Sequence, residues 1–258
     1  MNFQLDSTGV LRLEAWRDLP WLLHGFTTRH AGDFASATPD AESLRRMGAD
    51  GMQLRTVRQV HSDRVCLLSD KEGNWDPVRR PEADALVTAL PGHLLGVRTA
   101  DCLPVLLVDR GKRAIAAVHA GWRGTYQQIA ARGVEKMRAC FGSEPQDLEA
   151  AIGPGIAACC FEVGPEVAEQ FDPSLVHTPQ PNATNPGIAS PGAAGPNPRP
   201  HVDLVAANRK QLLEQGIPDA NIWSSGSCTC CREGDFFSYR RGGDTARMLA
   251  FIGIQSTL

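Results

Sequence analysis

The alternation of apolar and polar positions along the chain predicts many short strands with a few helices between them. Two apolar runs at residues 103–109 and 114–119 flank a polar stretch centred on Gly111-Lys112. Two such runs around a glycine-containing turn are typical of a β-hairpin, and glycine at the first central position favours a type II′ turn. With this turn in the middle, His119 faces Pro104 across the hairpin.

The register of this hairpin places two metal-binding residue types on one face. Cys102 lies two residues before Pro104, so its side chain is diagonal to that of His119. Diagonal neighbours are about 7–8 Å apart at the backbone, and a thiolate and an imidazole converging from there can share one metal ion. A four-residue turn keeps this parity, whereas an odd number of residues would separate the side chains. The alternative is a buried thiol beside a hydrogen-bonded core histidine.

Further strands are predicted on both sides of the hairpin. The pattern indicates strand pieces within 54–68, interrupted at His61, followed by strands at 83–88, 94–97 and 248–254. A helix is expected from an N-cap at Thr38 to about Gly48, and another after Thr125. The stretch 173–200 holds eight of the chain's 18 prolines, and its composition predicts a flexible surface insertion.

Composition narrows the class of protein. The chain has 258 residues, 42% of them hydrophobic, which is enough for a substantial core. A net charge of −3 gives no electrostatic reason to expect binding to nucleic acid or to an anionic membrane. No signal-peptide pattern and no apolar run of about 18 residues is present, so we expect a cytoplasmic protein whose eight cysteines are reduced, some of them possible metal ligands.

The third ligand for a metal at Cys102 and His119 is open from the residues alone. Six other histidines are available, and His61 is the best placed because it interrupts a strand among polar residues. His177 and His201 flank the proline-rich insertion and are poor candidates. The full set of alternatives is His24, His30, His61, His93, His177 and His201.

Other segments allow a chemical and a plain interpretation. Gly121-Trp122-Arg123-Gly124 is either an anion site at a helix start or a helix-entry turn with a solvated arginine. Arg240-Arg241 is either a substrate clamp or a solvated turn. For the adjacent pair Cys159-Cys160 we expect small buried side chains. The cluster Cys228, Cys230 and Cys231 resembles half of a metal site without an evident partner, so a structural role is favoured.

Seven motifs in order resemble the YfiH-like proteins, also called the laccase-domain or multicopper polyphenol oxidoreductase family. They include His24 to Arg29 (HGFTTR), Gln59 to Ser62 (QVHS), Ala83 to Thr88 (ADALVT), Thr99 to Pro104 (TADCLP), His119 to Gly124 (HAGWRG), Ile152 to Pro154 with Cys159 to Gly164, and Cys228-Thr229 with Phe236 to Arg241. The stretch 173–200 is longer than expected of the family, and Cys230 adds a thiol to its usual cluster.

The resemblance implies one α/β (α+β) domain over residues 1–258, with mixed sheets layered between helices. It implies Zn²⁺ held by His61, Cys102 and His119, and thereby selects His61. The implied activities are phosphorolysis of adenosine, inosine and methylthioadenosine and deamination of adenosine. Arg29 and Arg123 would then bind phosphate, and either Asp84 or Asp101 would orient a ligand histidine or transfer a proton. The partners are purine nucleosides and phosphate, and the oligomeric state is open.

Two alternatives follow from the same resemblance. The family name suggests a copper-dependent polyphenol oxidase, but multicopper sites need many paired histidines and this chain has seven scattered ones. The other is a non-catalytic, metal-stabilised partner protein, or a factor that edits peptidoglycan precursors, an activity linked to bacterial relatives. We therefore favour the zinc-dependent nucleoside enzyme, with copper as the second possibility for the metal.

Overall fold

Two mixed six-stranded sheets organise the chain. The computed structural model describes residues 2–36, 39–70, 79–177 and 199–256. The strands are β1 Phe3–Leu5, β2 Val10–Leu13, β3 Leu22–Thr27, β4 Gln53–Thr56, β5 Val65–Leu67, β6 Ala85–Thr88, β7 His93–Thr99, β8 Leu103–Asp109, β9 Ala114–Ala120, β10 Leu148–Ile152, β11 Val176–His177, β12 His201–Val202, β13 Ile222–Ser224 and β14 Met248–Ile254. The first sheet has the order β1-β2-β3-β14-β7-β4 and the second β13-β10-β8-β9-β6-β5, while β11 pairs with β12.

Six α-helices lie among the described residues, and most are short. They are α1 Ala41–Arg46, α2 Trp122–Tyr126, α3 Ile129–Phe141, α4 Pro165–Ala168, α5 Leu204–Glu214 and α6 Tyr239–Gly242. The two longer ones, α3 and α5, contact each other, and α3 packs on β9 of the second sheet. None of the described helices has the length and apolar character needed to cross a membrane.

The second sheet is buried on both faces, which explains the continuous apolar runs of its central strands. Val105 and Leu107 of β8 belong to the core shared with α3 and α5. Leu106 and Val108 point the other way, into a core shared with Leu95 and other side chains of the first sheet. The expected α/β fold of mixed sheets layered with helices is therefore confirmed.

The predicted hairpin is confirmed in its strands and register, but the predicted turn type is wrong. Strands β8 and β9 pair antiparallel, with His119 opposite Pro104. Gly111 does not have the positive φ that a type II′ turn requires. The connection instead spans residues 110–113, with Arg113 at φ 48° and the Lys112 N–H donating to Asp109 Oδ1 at 2.9 Å. A four-residue loop keeps the predicted register, so His119 still lies opposite Pro104 and on the same face as Cys102.

Two other predictions need correction. The strand pieces predicted within 54–68 are β4 and β5, which lie in different sheets, so the interruption at His61 is a crossover between sheets and not a kink. Helix α1 is capped by Asp40, whose side chain accepts from Ser43 N, and Thr38 lies outside the described residues. The start of the proline-rich stretch is ordered as a 3-10 helix at Pro173–Leu175 and as β11, which pairs with β12 just beyond the end of the stretch, while 178–198 lies outside the described residues.

Candidate metal and substrate site

Cys102 and His119 meet where the central hairpin opens. Cys102 directly precedes β8, and His119 is the second-last residue of β9. A third side chain, His61, joins them, and one ligand atom from each of the three lies within 4.8 Å of the others. Cys102 Sγ is 3.9 Å from His61 Nε2, and the two imidazole rings meet edge to face with centroids 5.0 Å apart. The structure thus brings together the three residues that the family resemblance had selected.

His61 reaches the hairpin because the crossover between β4 and β5 passes over it. The side chain of Gln59 ties this crossover to the end of β7, accepting from Arg98 N at 2.9 Å and donating to Arg98 O at 2.8 Å. His61 itself has φ 60°, a left-handed conformation that few non-glycine residues adopt. The unusual backbone indicates that the crossover is held in place by its surroundings.

Asp84 supplies that restraint. Its carboxylate is fully buried and accepts from the N–H of His61 at 3.0 Å and of Ser62 at 2.6 Å, and from the Ser62 hydroxyl at 2.8 Å. Asp84 Oδ1 also lies 2.9 Å from His119 Nδ1. Since a carboxylate accepts, His119 carries a proton on Nδ1, and Nε2 is the ring nitrogen that faces the cluster. One buried carboxylate therefore positions two of the three candidate ligands.

The electrostatics of the cluster favour a thiolate at Cys102. Burial would raise the pKa of this thiol, but the charge of His119 and hydrogen bonds from both histidines outweigh it and lower the pKa to about 6. For His119, burial acts to lower the pKa, but Cys102 and Asp84 raise it to about 9. Burial also opposes ionisation of Asp84, yet hydrogen bonds from His119 and Ser62 lower its pKa to about 2. The site is thus organised around negative sulfur and oxygen atoms beside imidazoles.

Gly121 leaves the space that an ion would need. A Cβ at this position would lie 2.9 Å from Cys102 Sγ and 2.9 Å from His61 Cδ2. Two imidazoles and one thiolate are donors that divalent transition metals accept, and three protein ligands leave a position open. The donor set, its spacing and the missing Cβ therefore fit a metal ion with one free coordination site.

Asp101 has a different task from Asp84. Its φ is 88°, and its carboxylate accepts from the Thr229 hydroxyl and from Arg240 N, both at 2.7 Å. It therefore attaches the segment that carries α6 to the residue next to Cys102. Sequence reasoning left Asp84 and Asp101 interchangeable, and only the three-dimensional contacts separate the first, behind His119, from the second, behind the wall of the site.

The three candidate ligands open into a cleft of about 610 Å³. Its aromatic side chains are Trp122, Phe161 and Tyr239, and its arginines are Arg58, Arg98, Arg240 and Arg247. Asp101 is the one acidic residue among the described residues that line it, and its oxygens are already bonded. A cleft with this charge balance attracts an anion.

The arginines proposed from sequence lie outside this lining. The Arg29 guanidinium donates to the Glu233 carbonyl at 2.7 Å and stacks on Phe237. Arg123 is exposed and lies over the Trp122 ring, 4.3 Å from its centroid. The helix that was expected to bind an anion at its start, α2, has only five residues, too few for a strong macrodipole.

Arg98 is a half-buried arginine of the cleft. Its Nη1 donates to Ala35 O at 2.7 Å, whereas its buried Nε has no hydrogen-bond partner among the described residues. Burial, and then the charges of Arg80 and Arg247, lower its pKa. An anion between Arg98 and Arg247 would relieve this repulsion. The sequence signal was slight: Arg98 precedes the TADC motif by one residue.

Beside the cleft, a second group of metal-binding side chains was not foreseen. The sulfur atoms of Cys159, Cys160, Cys228 and Cys231 all lie within 4.8 Å of one another. The half-site at Cys228 and Cys231, for which the sequence showed no partner, is completed by the adjacent pair Cys159 and Cys160. Cys159 precedes Cys228 by 69 residues. Because the two cysteine pairs are far apart in the sequence, their spacing did not predict a shared site.

Comparison with known proteins adds relatives over nearly the whole chain. The family model for the multi-copper polyphenol oxidoreductase laccase matches residues 24–255. A protein named adenosine deaminase RL5, from an unidentified prokaryote, is 40% identical over 83% of this chain and 80% of its own length. A protein of Deinococcus radiodurans named purine nucleoside phosphorylase is 39% identical over 90% of this chain and 88% of its own. The crystal structure of YlmD from Geobacillus stearothermophilus superposes with a TM-score of 0.80 at 30% identity, covering 99% of both chains.

Proposed function

Because the chain belongs to the multi-copper polyphenol oxidoreductase laccase family of YfiH-like proteins, we propose that it is a zinc-dependent purine nucleoside phosphorylase that also deaminates adenosine. The observation that carries the proposal is the shared cleft, in which His61, Cys102 and His119 face arginines across about 610 Å³. The names of the relatives from Deinococcus radiodurans and from the unidentified prokaryote point to the same two reactions.

Phosphate binding is assigned to Arg98 and Arg247 instead of Arg29 and Arg123. Both assigned arginines line the cleft. Burial, and then the charges of Arg80 and Arg247, lower the pKa of Arg98, and a bound anion would relieve the repulsion between these charges. A guanidinium fork matches two phosphate oxygens. In phosphorolysis a phosphate oxygen forms a bond to C1′ of the ribose while the bond from C1′ to the purine nitrogen breaks. The two arginines therefore hold the nucleophile, and their charge offsets that of the phosphate.

The purine is assigned to the aromatic side of the cleft. Trp122 and Phe161 line it from opposite segments of the chain, one following β9 and the other following β10. Flat aromatic faces bind a base by stacking, with an energy of about 1–3 kcal/mol per base. The Phe161 ring is in turn covered by Arg240, with its guanidinium 5.4 Å from the centroid, so its orientation is restrained.

The metal assignment is zinc, held by Cys102 Sγ and the imidazoles of His61 and His119. When bound, zinc supplies a Lewis acid and an activated water near neutral pH, which deamination requires. The chain's own contribution is to hold Cys102 as a thiolate and to fix His119 through the Nδ1–H bond to Asp84. These contacts keep both ligands oriented before substrate enters.

A copper-dependent phenol oxidase is the competing function. Two histidines and one cysteine also suit copper, but a blue-copper site adds a long axial ligand, usually methionine. No methionine lines the cleft within the described ranges. Neither cluster of possible metal ligands in those ranges has more than two histidines, fewer than a multicopper centre uses. The arginines have no evident use in phenol oxidation.

The test is phosphate-dependent release of adenine from adenosine, measured with metal content on the same preparations. The wild type should bind zinc and release base only with phosphate, and Cys102→Ala should lose both. Arg98→Met should raise the KM for phosphate at least about tenfold, the loss of one charge-assisted bond of about 1.5–3 kcal/mol. Arg123→Met, outside the cleft, is the matched control and should leave that KM unchanged.

Three results would overturn the proposal. Bound copper with phenol turnover and no release of base would favour the oxidase. A wild type that binds zinc but turns over neither nucleosides nor phenols would indicate a non-catalytic partner protein. Equal effects of Arg98→Met and Arg123→Met on the KM for phosphate would remove the assignment of the phosphate site.

A further inference from the structure

Four cysteines from two separate turns converge beside the cleft. Cys159 and Cys160 lie in the turn that follows β10, and Cys228 and Cys231 lie in the turn that follows β13. Cys231 Sγ is 3.4 Å from the sulfur of Cys159 and 3.3 Å from that of Cys160. Cys160 and Cys228 are buried. The arrangement does not involve His61, Cys102 or His119.

The spacing of these sulfurs matches one tetrahedral ion. Zinc–sulfur bonds of about 2.3 Å in a tetrahedron place the sulfurs about 3.8 Å apart. All four sulfurs lie within 4.8 Å of one another, without an ion, so only small movements are needed. Cys228 and Cys231 also have the two-residue separation common to zinc half-sites.

The backbone around the cluster is arranged as around thiolate ligands. The N–H of Ala157 points at Cys228 Sγ, with a nitrogen–sulfur distance of 3.4 Å. The two turns are already joined by a bridge between Gly155 and Cys228, and the Thr229 N–H donates to Gly155 O at 3.0 Å. The ligands therefore come from a preformed frame, which reduces the entropy lost on binding.

Positive charge lies next to the cluster. Arg240 Nη1 donates to Cys160 O at 3.3 Å, and Arg241 Nη1 donates to Cys230 O at 3.1 Å. Zinc with four thiolates carries a net charge of about −2, and a partly buried charge needs compensation. Two guanidinium groups anchored to the same turns provide it.

We propose that Cys159, Cys160, Cys228 and Cys231 bind a structural Zn²⁺ ion that joins the two turns. All four thiolates are protein ligands, so no position is left open for substrate, which is the pattern of structural and not catalytic zinc. Its chemistry is therefore the supply of folding energy to the turns. The inference does not depend on the proposed function, because none of the four sulfurs belongs to the site assigned to catalysis.

The ion would hold one wall of the cleft. Phe161, next to Cys160, lines the cleft, as does Arg240. Thr229, next to Cys228, donates to Asp101, which precedes Cys102. Loss of the ion would free both turns, so we expect a higher KM for nucleoside while zinc at His61, Cys102 and His119 is retained.

The direct test is the zinc content of protein purified under reducing conditions without added metal. The wild type should hold about two zinc ions per chain, and Cys231→Ser and Cys102→Ser should each hold about one. Cys230→Ser is the matched control, because Cys230 lies in the same turn but outside the cluster, and it should keep about two. A wild type with one zinc that disappears in Cys102→Ser would overturn the proposal, as would iron in place of zinc.

A second measurement covers the case in which Cys231→Ser fails to fold. Cobalt substituted into Cys102→Ser should give the strong thiolate-to-cobalt charge-transfer absorption of four sulfur ligands, because only the cysteine cluster is left to bind it. Weak absorption, or recovery of a disulfide among these cysteines from a reduced preparation, would refute the proposal. Neither result depends on nucleoside turnover, so the two proposals fail separately.

Discussion

Gly121→Ala tests whether the space beside Cys102 and His61 is needed for a metal ion. The backbone at Gly121 has φ −70° and ψ 172°, an extended conformation that alanine adopts freely. Replacing glycine at such a position usually stabilises a protein by about 0.4–1 kcal/mol. The backbone therefore gives no reason for the variant to misfold, and any defect has to arise from the added methyl group.

The size of that defect follows from two distances. The new Cβ would be 2.9 Å from both Cys102 Sγ and His61 Cδ2, about 0.6 Å closer than an ordinary carbon contact of about 3.5 Å. Metal–ligand distances tolerate deviations of only about 0.2 Å. Because two of three ligands are displaced together, we expect zinc affinity to fall at least about tenfold, and up to about a hundredfold, the loss seen when the support of a ligand is removed.

The assay is competition with a chromophoric chelator, with the melting temperature of the metal-free protein as the fold control. Gly111→Ala is the matched variant, since it lies at the other end of the same hairpin and its Cβ would meet only Asp109 Oδ1 at 3.5 Å. It should bind zinc like the wild type. Wild-type zinc affinity in Gly121→Ala would refute the reasoning, because the ion would then not lie between these side chains.

Three further predictions concern the support of the site, the pH dependence of folding and the core. Asp84→Asn should lower zinc affinity by about 10–100-fold, because an amide cannot accept all the hydrogen bonds that the Asp84 carboxylate accepts. Asp109→Asn, at the far end of the hairpin, should leave zinc affinity unchanged. Equal zinc affinities of the two variants would contradict the role of Asp84. Burial, and then the charge of Arg12, lower the pKa of His24 to about 3, so below about pH 6.5 the unfolded chain binds a proton that the folded chain rejects. Stability should therefore fall by about 1.4 kcal/mol per pH unit from pH 6.5 towards 3, and His24→Gln, but not the exposed His177→Gln, should flatten this slope in denaturant titrations. Leu106→Ala, fully buried between the sheets, should cost about 2–5 kcal/mol of unfolding free energy, while Leu213→Ala on the exposed side of α5 should change it by less than about 0.5 kcal/mol; similar losses would argue against the two-sheet core.

Periodicity predicted individual strands well and their sheets poorly. The hairpin of β8 and β9 followed from local pattern and parity, because its partners are adjacent in sequence. The strands β4 and β5 are visible in the same way, but their assignment to opposite sheets depends on long-range contacts that no local pattern encodes. The same limit explains the turn error: register needs only an even loop, which both Gly111 in a type II′ turn and the observed four-residue loop satisfy.

Residue type and the strand register of the hairpin predicted only part of the site. Cys102 and His119 followed from the hairpin, whereas His61 was one of six histidines until the family motifs selected it. The arginines show the opposite case. Arg29 and Arg123 lie in recognisable motifs, yet Arg98 and Arg247 line the cleft. The sequence alone does not show whether an arginine faces solvent on a helix or points into a cleft at the end of a strand. The cysteine pairs at 159–160 and 228–231 were separately visible, and only folding brings them together.

The position of the cleft explains why carboxylates and sulfurs hold it together. It lies where the strands of both sheets end, so the crossover at His61 and the turns beyond β10 and β13 have few ladder bonds of their own. Asp84 accepts hydrogen bonds from the N–H groups of the crossover, and Asp101 accepts them from the Thr229 hydroxyl and the Arg240 N–H. Because metal binding adds to stability where a site forms only on folding, ions at both clusters would stabilise these loops more than the sheets. Metal loss should therefore loosen the cleft while the hairpin, buried on both faces, stays folded.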